Sequence, residues 1–206
     1  PDATGYTSEA VWDGMTEMKA GGLADRVGIA PGPANGFTLD MLLCLERFSE
    51  QIDWAMVILN PLEPWPGGLV LPAAKKWGVK VITRVVDHGG LFHGDVRPGH
   101  EFAEGDHRVY RPEGWVEAGN KKINRMREVA QQLKVSLLQL ACLWNLAHPA
   151  VESVIPTLIQ EAGDDAKTIE AKLDDLVALP EISLTNDERN FITDIGNNAG
   201  CMDLKG

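Results

Sequence analysis

The sequence predicts an α/β fold with parallel strands, and three observations carry that prediction. Short apolar runs alternate with segments of helical periodicity, in the order helix, then strand–helix four times. The strand runs are continuously apolar rather than alternating, so both of their faces are expected to be covered. Each pair of successive strands is separated by enough chain for a crossover helix, which is how parallel strands are joined. A barrel or a doubly wound sheet is favoured over a sandwich. Four strands do not close a barrel, which needs eight. At 206 residues, with 44% hydrophobic and 24% charged side chains, residues 1–206 suit a single domain with a sizeable core.

The elements follow in order. The opening residues 1–5, Pro-Asp-Ala-Thr-Gly, read as a loop. Ser8 caps a helix through Val11, Trp12, Met15 and Met18, and Gly21-Gly22 ends it. A short strand spans Arg26 to Ala30, and residues 31–36 form a loop. Thr38 caps a second helix with Met41, Leu42, Leu45 and Phe48 on one face. Trp54 to Leu59 is a strand, broken by Pro61, Pro64, Pro66 and Gly67-Gly68. Leu69 to Trp77 is a helix stopped at Gly78, and Val79 to Val86 is a strand rich in β-branched residues. A loop runs from Asp87 to about Pro112. Helices follow over Trp115–Leu133 and Leu137–Ala147, the second started by Ser136. Ser153-Val154-Ile155 is the last strand, and Asp165 to Leu179 is helical, with Ile169, Leu173, Leu176 and Val177 on one face. Thr185 caps the final helix, with Glu188 at capping-box spacing.

Charge and cysteine content narrow the function. Thirty acidic against nineteen basic side chains give a net charge of −11, and no Lys/Arg cluster provides the basic face a nucleic acid needs. The same charge repels anionic membranes, and no apolar run approaches the ~20 residues of a membrane span. A phosphate-rich ligand would need local basic groups. The three cysteines, Cys44, Cys142 and Cys201, are widely spaced and odd in number, so a disulfide framework is not expected and a reducing cytoplasm fits. Cys44 and Cys142 sit in apolar helical runs and read as buried thiols.

The 87–112 loop collects the chemistry. Asp87, His88, His93, Asp95, His100, Asp106 and His107 are types that ligate metals, but their spacing fits no standard motif and no metal site is assigned. A Gly-rich loop after a barrel strand lies at the active-site end, so contact with a cofactor or substrate is the stronger expectation. Of the six tryptophans, Trp12, Trp77 and Trp144 read as core, Trp54 begins a strand, and Trp65 and Trp115 lie at or near loops, Trp65 being a candidate for substrate contact. Arg84 can pair with Asp87 or stack on a ligand. No motif supports Ser/His/Asp catalysis.

Three segments together resemble the aldo-keto reductase family. Residues 59–64, Leu-Asn-Pro-Leu-Glu-Pro, with the helix after them, resemble the family's Tyr-Asn-Leu-Leu-Glu segment. Residues 81–94, Val-Ile-Thr-Arg-Val-Val-Asp-His-Gly-Gly-Leu-Phe-His-Gly, are similar to its Val-Ile-Ala-Arg-Ser-Pro-Leu-Ala-Gly-Gly-Leu-Leu-Thr-Gly. Residues 140–146, Leu-Ala-Cys-Leu-Trp-Asn-Leu, and then Ser153-Val154-Ile155-Pro156 resemble its Leu-Ala-Trp-Leu-Leu helix and final Ser-Val-Ile-Pro strand. Gly105-Asp106-His107-Arg108 also matches a linker found in several members.

The resemblance implies a partial (β/α)8 TIM barrel, with about four C-terminal strand–helix units plus extra helices. It implies that Pro1 lies just past the family's fourth strand. The family's catalytic Asp, Tyr, Lys and His would then precede this chain, and none of its five histidines is the catalytic one. An NADP(H) site is implied in altered form. The family's Ser-Asn pair falls at Ala30-Pro31 and its Gln at Met56, which lack the family's side-chain hydrogen bonds. Arg84 falls where a side chain packs on the nicotinamide, and an Arg plane can stack there. The Ser and Leu near the pyrophosphate fall at Val85 and Asp87, and an Asp facing pyrophosphate would repel it. Gly89, Gly90 and Leu91 retain backbone N–H groups able to cradle phosphate. Lys167 and Glu170 fall near positions that contact the 2′-phosphate and adenine, and the family's Asn becomes Lys172.

Two functions are open at this stage. One is a contribution to a nicotinamide-dependent reductase of small carbonyl compounds, with a proton-donating Tyr supplied from elsewhere. The other is a non-catalytic half-barrel scaffold or interaction subunit. Either way, open strand edges imply pairing, as a homo-oligomer or with an N-terminal half-barrel.

Overall fold

The computed structural model describes residues 3–32, 35–163 and 166–201. Four strands, β1 (Gly28–Ile29), β2 (Trp54–Ile58), β3 (Lys80–Arg84) and β4 (Val151–Ile155), form one parallel sheet in sequence order. The register pairs Gly28 with Trp54, Trp54 with Lys80, and Val81 with Val151. Eight helices surround it: α1 (Ala3–Thr7), α2 (Glu9–Ala20), α3 (Thr38–Phe48), α4 (Val70–Trp77), α5 (Trp115–Leu133), α6 (Leu137–Leu146), α7 (Ile169–Val177) and α8 (Asn186–Gly196). This is the α/β arrangement of a partial (β/α)8 barrel. No helix of the described residues is long and apolar enough to cross a membrane.

The helices end where their chemistry dictates. Gly78 closes α4 at φ 69°, a left-handed conformation that glycine adopts without a steric cost, and its N–H reaches the Ala74 carbonyl. Thr185 and Glu188 form a reciprocal capping box on α8, and Ser136 and Gln139 form another on α6.

Some expectations are corrected. The expected opening loop is helical from Ala3 to Thr7, with Pro1 and Asp2 outside the described residues. Ser8 occupies the N-cap of α2 without a side-chain capping bond. Thr38 is the first residue of α3 rather than its cap, and its hydroxyl donates to the Asn35 carbonyl at 2.7 Å. The seventh helix starts at Ile169, because the Thr168 hydroxyl accepts the Ala171 N–H and fixes the cap there. Asp165, where that helix was expected to start, lies outside the described residues, as do Pro33 and Ala34 of the 31–36 loop.

One sheet face is sealed and the other is open. Ala55, Val57, Val81 and Thr83 are buried and join Met41, Cys44, Leu45, Val70, Ala74, Leu140 and Ala141 in or beside one core. Met56, Ile82 and Ser153, on the opposite face, are only half-buried, and Ile155 is 46% exposed. Cys44 and Cys142 are buried free thiols. Trp12 and Trp144 are core residues, the indole N–H of Trp144 meeting the Arg189 carbonyl and Thr193 hydroxyl. Trp77 is not in the core: it is exposed, with the Lys76 ammonium over its ring at 4.5 Å.

At the end of α8, a Cβ on Gly196 would meet the Pro61 carbonyl oxygen at 1.5 Å, so helix and loop touch only because no side chain intervenes. Gly196→Ala is expected to lower stability by about 1–3 kcal/mol or more. Gly68→Ala, where a Cβ meets nothing within 4 Å, is the control and should shift the urea midpoint far less.

Candidate functional site

The site lies where the chain leaves the C-terminal ends of the strands. After Arg84 the backbone turns at Val85, which holds φ 58°, a strained conformation for a β-branched residue. The Asn60 amide donates to the Val85 carbonyl at 3.0 Å and holds that turn. His88, Gly89 and Gly90 also have positive φ, so the loop coils tightly beside the strand end.

Two loops are tied together at this point. Asp87 is buried, and its carboxylate accepts the Gly90 N–H at 2.8 Å and the Thr157 N–H at 2.7 Å, joining the loop after β3 to the loop after β4. His93 Nε2 bonds the Thr157 carbonyl at 2.8 Å and reinforces the joint. Arg108 closes it from above. Its guanidinium donates to the Gly89 carbonyl at 3.1 Å, to both Glu161 carboxylate oxygens and to Asp106, with the Phe102 ring 4.7 Å below. Arg108 and Glu161 are both almost fully buried, so this is a charge pair held out of water. Asp106 is pulled down to a pKa of about 2, chiefly by its bonds to Arg108.

A cavity of about 570 Å³ opens over the strand ends, lined by Asn35, Glu63, Arg84, Gly89, His107 and Arg111 among others. Its lining carries more cationic than anionic side chains, although the chain as a whole is at −11. Arg84 is half-buried and donates to the Gly32 carbonyl at 3.3 Å. Among the described residues it makes no ion pair with Asp87, whose two oxygens are committed to backbone N–H groups. Glu63 accepts from the Asn35 amide at 3.2 Å, and burial pushes its carboxyl up against the opposing pull of Arg111. A smaller cavity of about 320 Å³ shares Glu63 and Arg111 and adds Leu62, His88, Trp115, Lys122 and Cys201.

Of the residues expected at a cofactor site, Arg84, Val85 and Gly89 line the larger cavity. Asp87, Gly90 and Leu91 do not line it. Asp87 was expected to face a bound pyrophosphate and repel it; instead its charge is turned into the loop. The same bond occupies the Gly90 N–H. Lys167 lines another cleft, of about 610 Å³, together with Leu91. Glu170 is exposed in the first turn of α7. Lys172 is buried, pairs with Asp95 at 2.5 Å and donates to the Ile159 carbonyl. Met56 sits half-buried on the open sheet face and Ala30 is exposed. Trp65 is tied by its backbone to the Asn198 amide, and lines none of these three cavities. Among the described residues no three His, Cys, Asp or Glu side chains converge to hold a metal. Sequence reasoning missed Glu63 and Arg111 as site residues. The only signal was that Glu63 lay inside a quoted motif and Arg111 three residues beyond another.

A model of the aldo/keto reductase family matches residues 1–179. No curated protein matches the chain. Among solved structures, a glycerol dehydrogenase from Gluconobacter oxydans superposes with a TM-score of 0.71 at 16% identity, over 95% of this chain and 57% of that one. An apo aldo-keto reductase from Bacillus halodurans gives 0.59 at 20% identity, over 92% and 57%. An aldo-keto reductase from Klebsiella pneumoniae in complex with NADPH gives 0.57 at 16% identity, over 95% and 57%. The chain thus spans little more than half the length of these structures, and at such identities the likeness concerns the fold.

Breaking the Arg108 clamp should expose how far the loop depends on it. Arg108→Met leaves Glu161 buried with only the His100 ring at 3.5 Å beside it and is expected to cost about 3–5 kcal/mol. Arg108→Met combined with Glu161→Leu should cost less than the single change, because the more deeply buried carboxylate is removed and only the more exposed Asp106 is left without its cation. Urea unfolding of the two variants provides the comparison.

Proposed function

The chain belongs to the aldo/keto reductase family, and on that premise we propose that it supplies part of an NADP(H) site for the reduction of small carbonyl compounds. The observation that carries this reading is the locally cationic cavity over the strand ends. An acidic protein needs such a region to accept a polyanionic cofactor. The solved relative from Klebsiella pneumoniae in complex with NADPH supports the choice of cofactor.

The residues present fit the charge of such a cofactor. Arg84 lines the cavity with one carbonyl partner and keeps a plane able to stack on a flat ring. Val85 and Gly89 would form the adjoining wall, with Gly90 and Leu91 behind it. Lys167 and Glu170 are the proposed contacts for the far end. The cofactor, when bound, supplies the hydride. This chain's part is to position and to keep the loop dry: Asp87, His93 and Arg108 hold the two loops at fixed spacing, and the αL turn at Val85 sets where Arg84 leaves the strand. Ala30 and Met56 offer no side-chain donor to an amide, so ring orientation would rest on Arg84. The proton donor would come from the paired half of the barrel.

The open face and the edges β1 and β4 support pairing, either with a second copy or with an N-terminal half-barrel. The free cysteines suit a reducing cytoplasm.

Titration of the purified chain with NADPH, followed by tryptophan fluorescence, tests the cofactor assignment. Saturable quenching at micromolar cofactor is expected, and Arg84→Ala should weaken it about tenfold, or about 1.4 kcal/mol. No binding up to millimolar NADPH would sink the assignment and leave a non-catalytic scaffold. Size-exclusion chromatography is expected to show a species larger than the monomer; a stable monomer would count against pairing.

A further inference from the structure

The cationic groups near the strand ends differ in how their charge is met. Arg108 is chelated by Asp106 and Glu161, and Lys172 by Asp95. Arg111, half-buried, has no carboxylate within ion-pair distance among the described residues. Its one hydrogen-bond partner there is His88 Nε2, at 3.3 Å. Burial, and the charges of Arg111 and Lys122, hold His88 well below the ordinary histidine range, so its ring is neutral and accepts from the guanidinium through Nε2. That bond consumes one of five guanidinium N–H groups, and the charge is met only from a distance, by Glu63 and Asp87.

The surroundings are those of a receptor rather than of a solvated surface residue. The Arg111 guanidinium lies over the Trp115 ring at 4.8 Å, which fixes its plane. Trp115 in turn stacks on Phe102, with ring centroids 5.8 Å apart. Arg111 lines both the larger cavity over the strand ends and the smaller one beside it. The smaller cavity, about 320 Å³, combines this cation with the apolar surfaces of Leu62 and Trp115. It is at the low end of volumes that hold small molecules. Lys122, the other cation lining it, is held by the carbonyls of Gly196 and Asn197. His88 Nδ1 has no hydrogen-bond partner and faces Glu63 at 3.7 Å; the two residues line the smaller cavity with Arg111, and Arg111 and Glu63 line the larger one as well.

We propose that Arg111 receives the carboxylate of a small oxo acid, whose carbon chain lies along Leu62 and Trp115 and whose carbonyl reaches the larger cavity. This rests on the carbonyl-reductase reading of the site and adds its substrate class. A planar fork of N–H donors matches a carboxylate in two parallel bonds. A monoanion suits the place better than a phosphate dianion, because Glu63 stands beside it and repels a dianion twice as strongly.

The test is calorimetric titration of the full chain with levulinate and with its methyl ester, which differ only in the charge. The acid is expected to bind at millimolar concentration and the ester at least tenfold more weakly. Arg111→Gln should weaken the acid at least tenfold without weakening the ester, and Arg111→Lys should retain part of the preference. Equal binding of acid and ester, or an Arg111→Gln protein that binds the acid like the original, overturns the proposal. So does tighter binding of inorganic phosphate than of the acid. NADPH is titrated in parallel. If it fails to bind while levulinate binds through Arg111, the cofactor assignment falls and the receptor stands; if NADPH binds and the acid does not, the reverse holds.

Discussion

Two loops leave neighbouring parallel strands side by side, and a single buried carboxylate joins them. Asp87 ends the turn after β3 and accepts N–H groups from its own loop, at Gly90, and from the loop after β4, at Thr157. A carboxylate removed from water has to satisfy its oxygens locally, and two short charge-assisted bonds to backbone donors do so. The Arg108 clamp is built on this joint. Gly89 lies where Arg108 can reach its carbonyl, and Glu161, on the far loop, lies where it can chelate Arg108. A Cβ on Gly90 would meet Val96 at 2.8 Å, so the joint closes only around a glycine.

The same joint explains how an acidic chain acquires a cationic cavity. The acids nearest the strand ends are each committed: Asp87 to backbone N–H groups, Asp95 to Lys172, Asp106 and Glu161 to Arg108. None of these four lines the larger cavity. What faces it is Arg84 and Arg111, with Arg108 already paired to its carboxylates, opposed by Glu63. The field in a cleft depends on which charges face it and how well they are neutralised, not on the net charge of the chain.

Much of the fold was legible because it rests on local chemistry. Gly78, Ser136, Thr185 with Glu188, and the continuous apolar strands each act within a few residues, and each element lies within a few residues of its expected place. Where the expectation failed, a contact distant in sequence decided. The Tyr6 hydroxyl donates to the Ala30 carbonyl, 24 residues away, and α1, expected as a loop, packs on α3. Trp77 shares a helical face with the buried Val70 and Ala74, but it is the last residue of α4, where it stays exposed with Lys76 over its ring. The site was less legible for the same reason. That the chain after β3 enters a loop could be read from its glycines and from the family resemblance. That Asp87 turns inward could not, since its second partner is Thr157, 70 residues on. Arg108 lay in a quoted motif, but its role needs Glu161, 53 residues away. Arg111 carries no motif at all, and its character comes from its place over Trp115 at the lining of two cavities, with no carboxylate within ion-pair distance among the described residues.

Strain and charge converge on the segment where β3 ends. Val85 in a left-handed turn is a conformation that a β-branched residue holds only when its surroundings insist, at a cost of order 1–3 kcal/mol. Those surroundings are the Asn60 amide on the Val85 carbonyl and the Asp87 joint two residues later. Arg84, the last residue of β3, owes its place in the cavity to its pairing in the sheet, and the turn after it brings the chain back where a relaxed extension of β3 would have carried it past the sheet end. A parallel sheet presents the ends of all its strands at one rim, and a loop bent back over that rim brings residues of β2, of β3 and of the loop after β4 to one cavity. The open sheet face beneath, with Ile155 nearly half exposed, leaves the rim accessible from that side. The loops and cations at the rim are held through bonds that close within this chain, so their arrangement does not depend on what meets the open face.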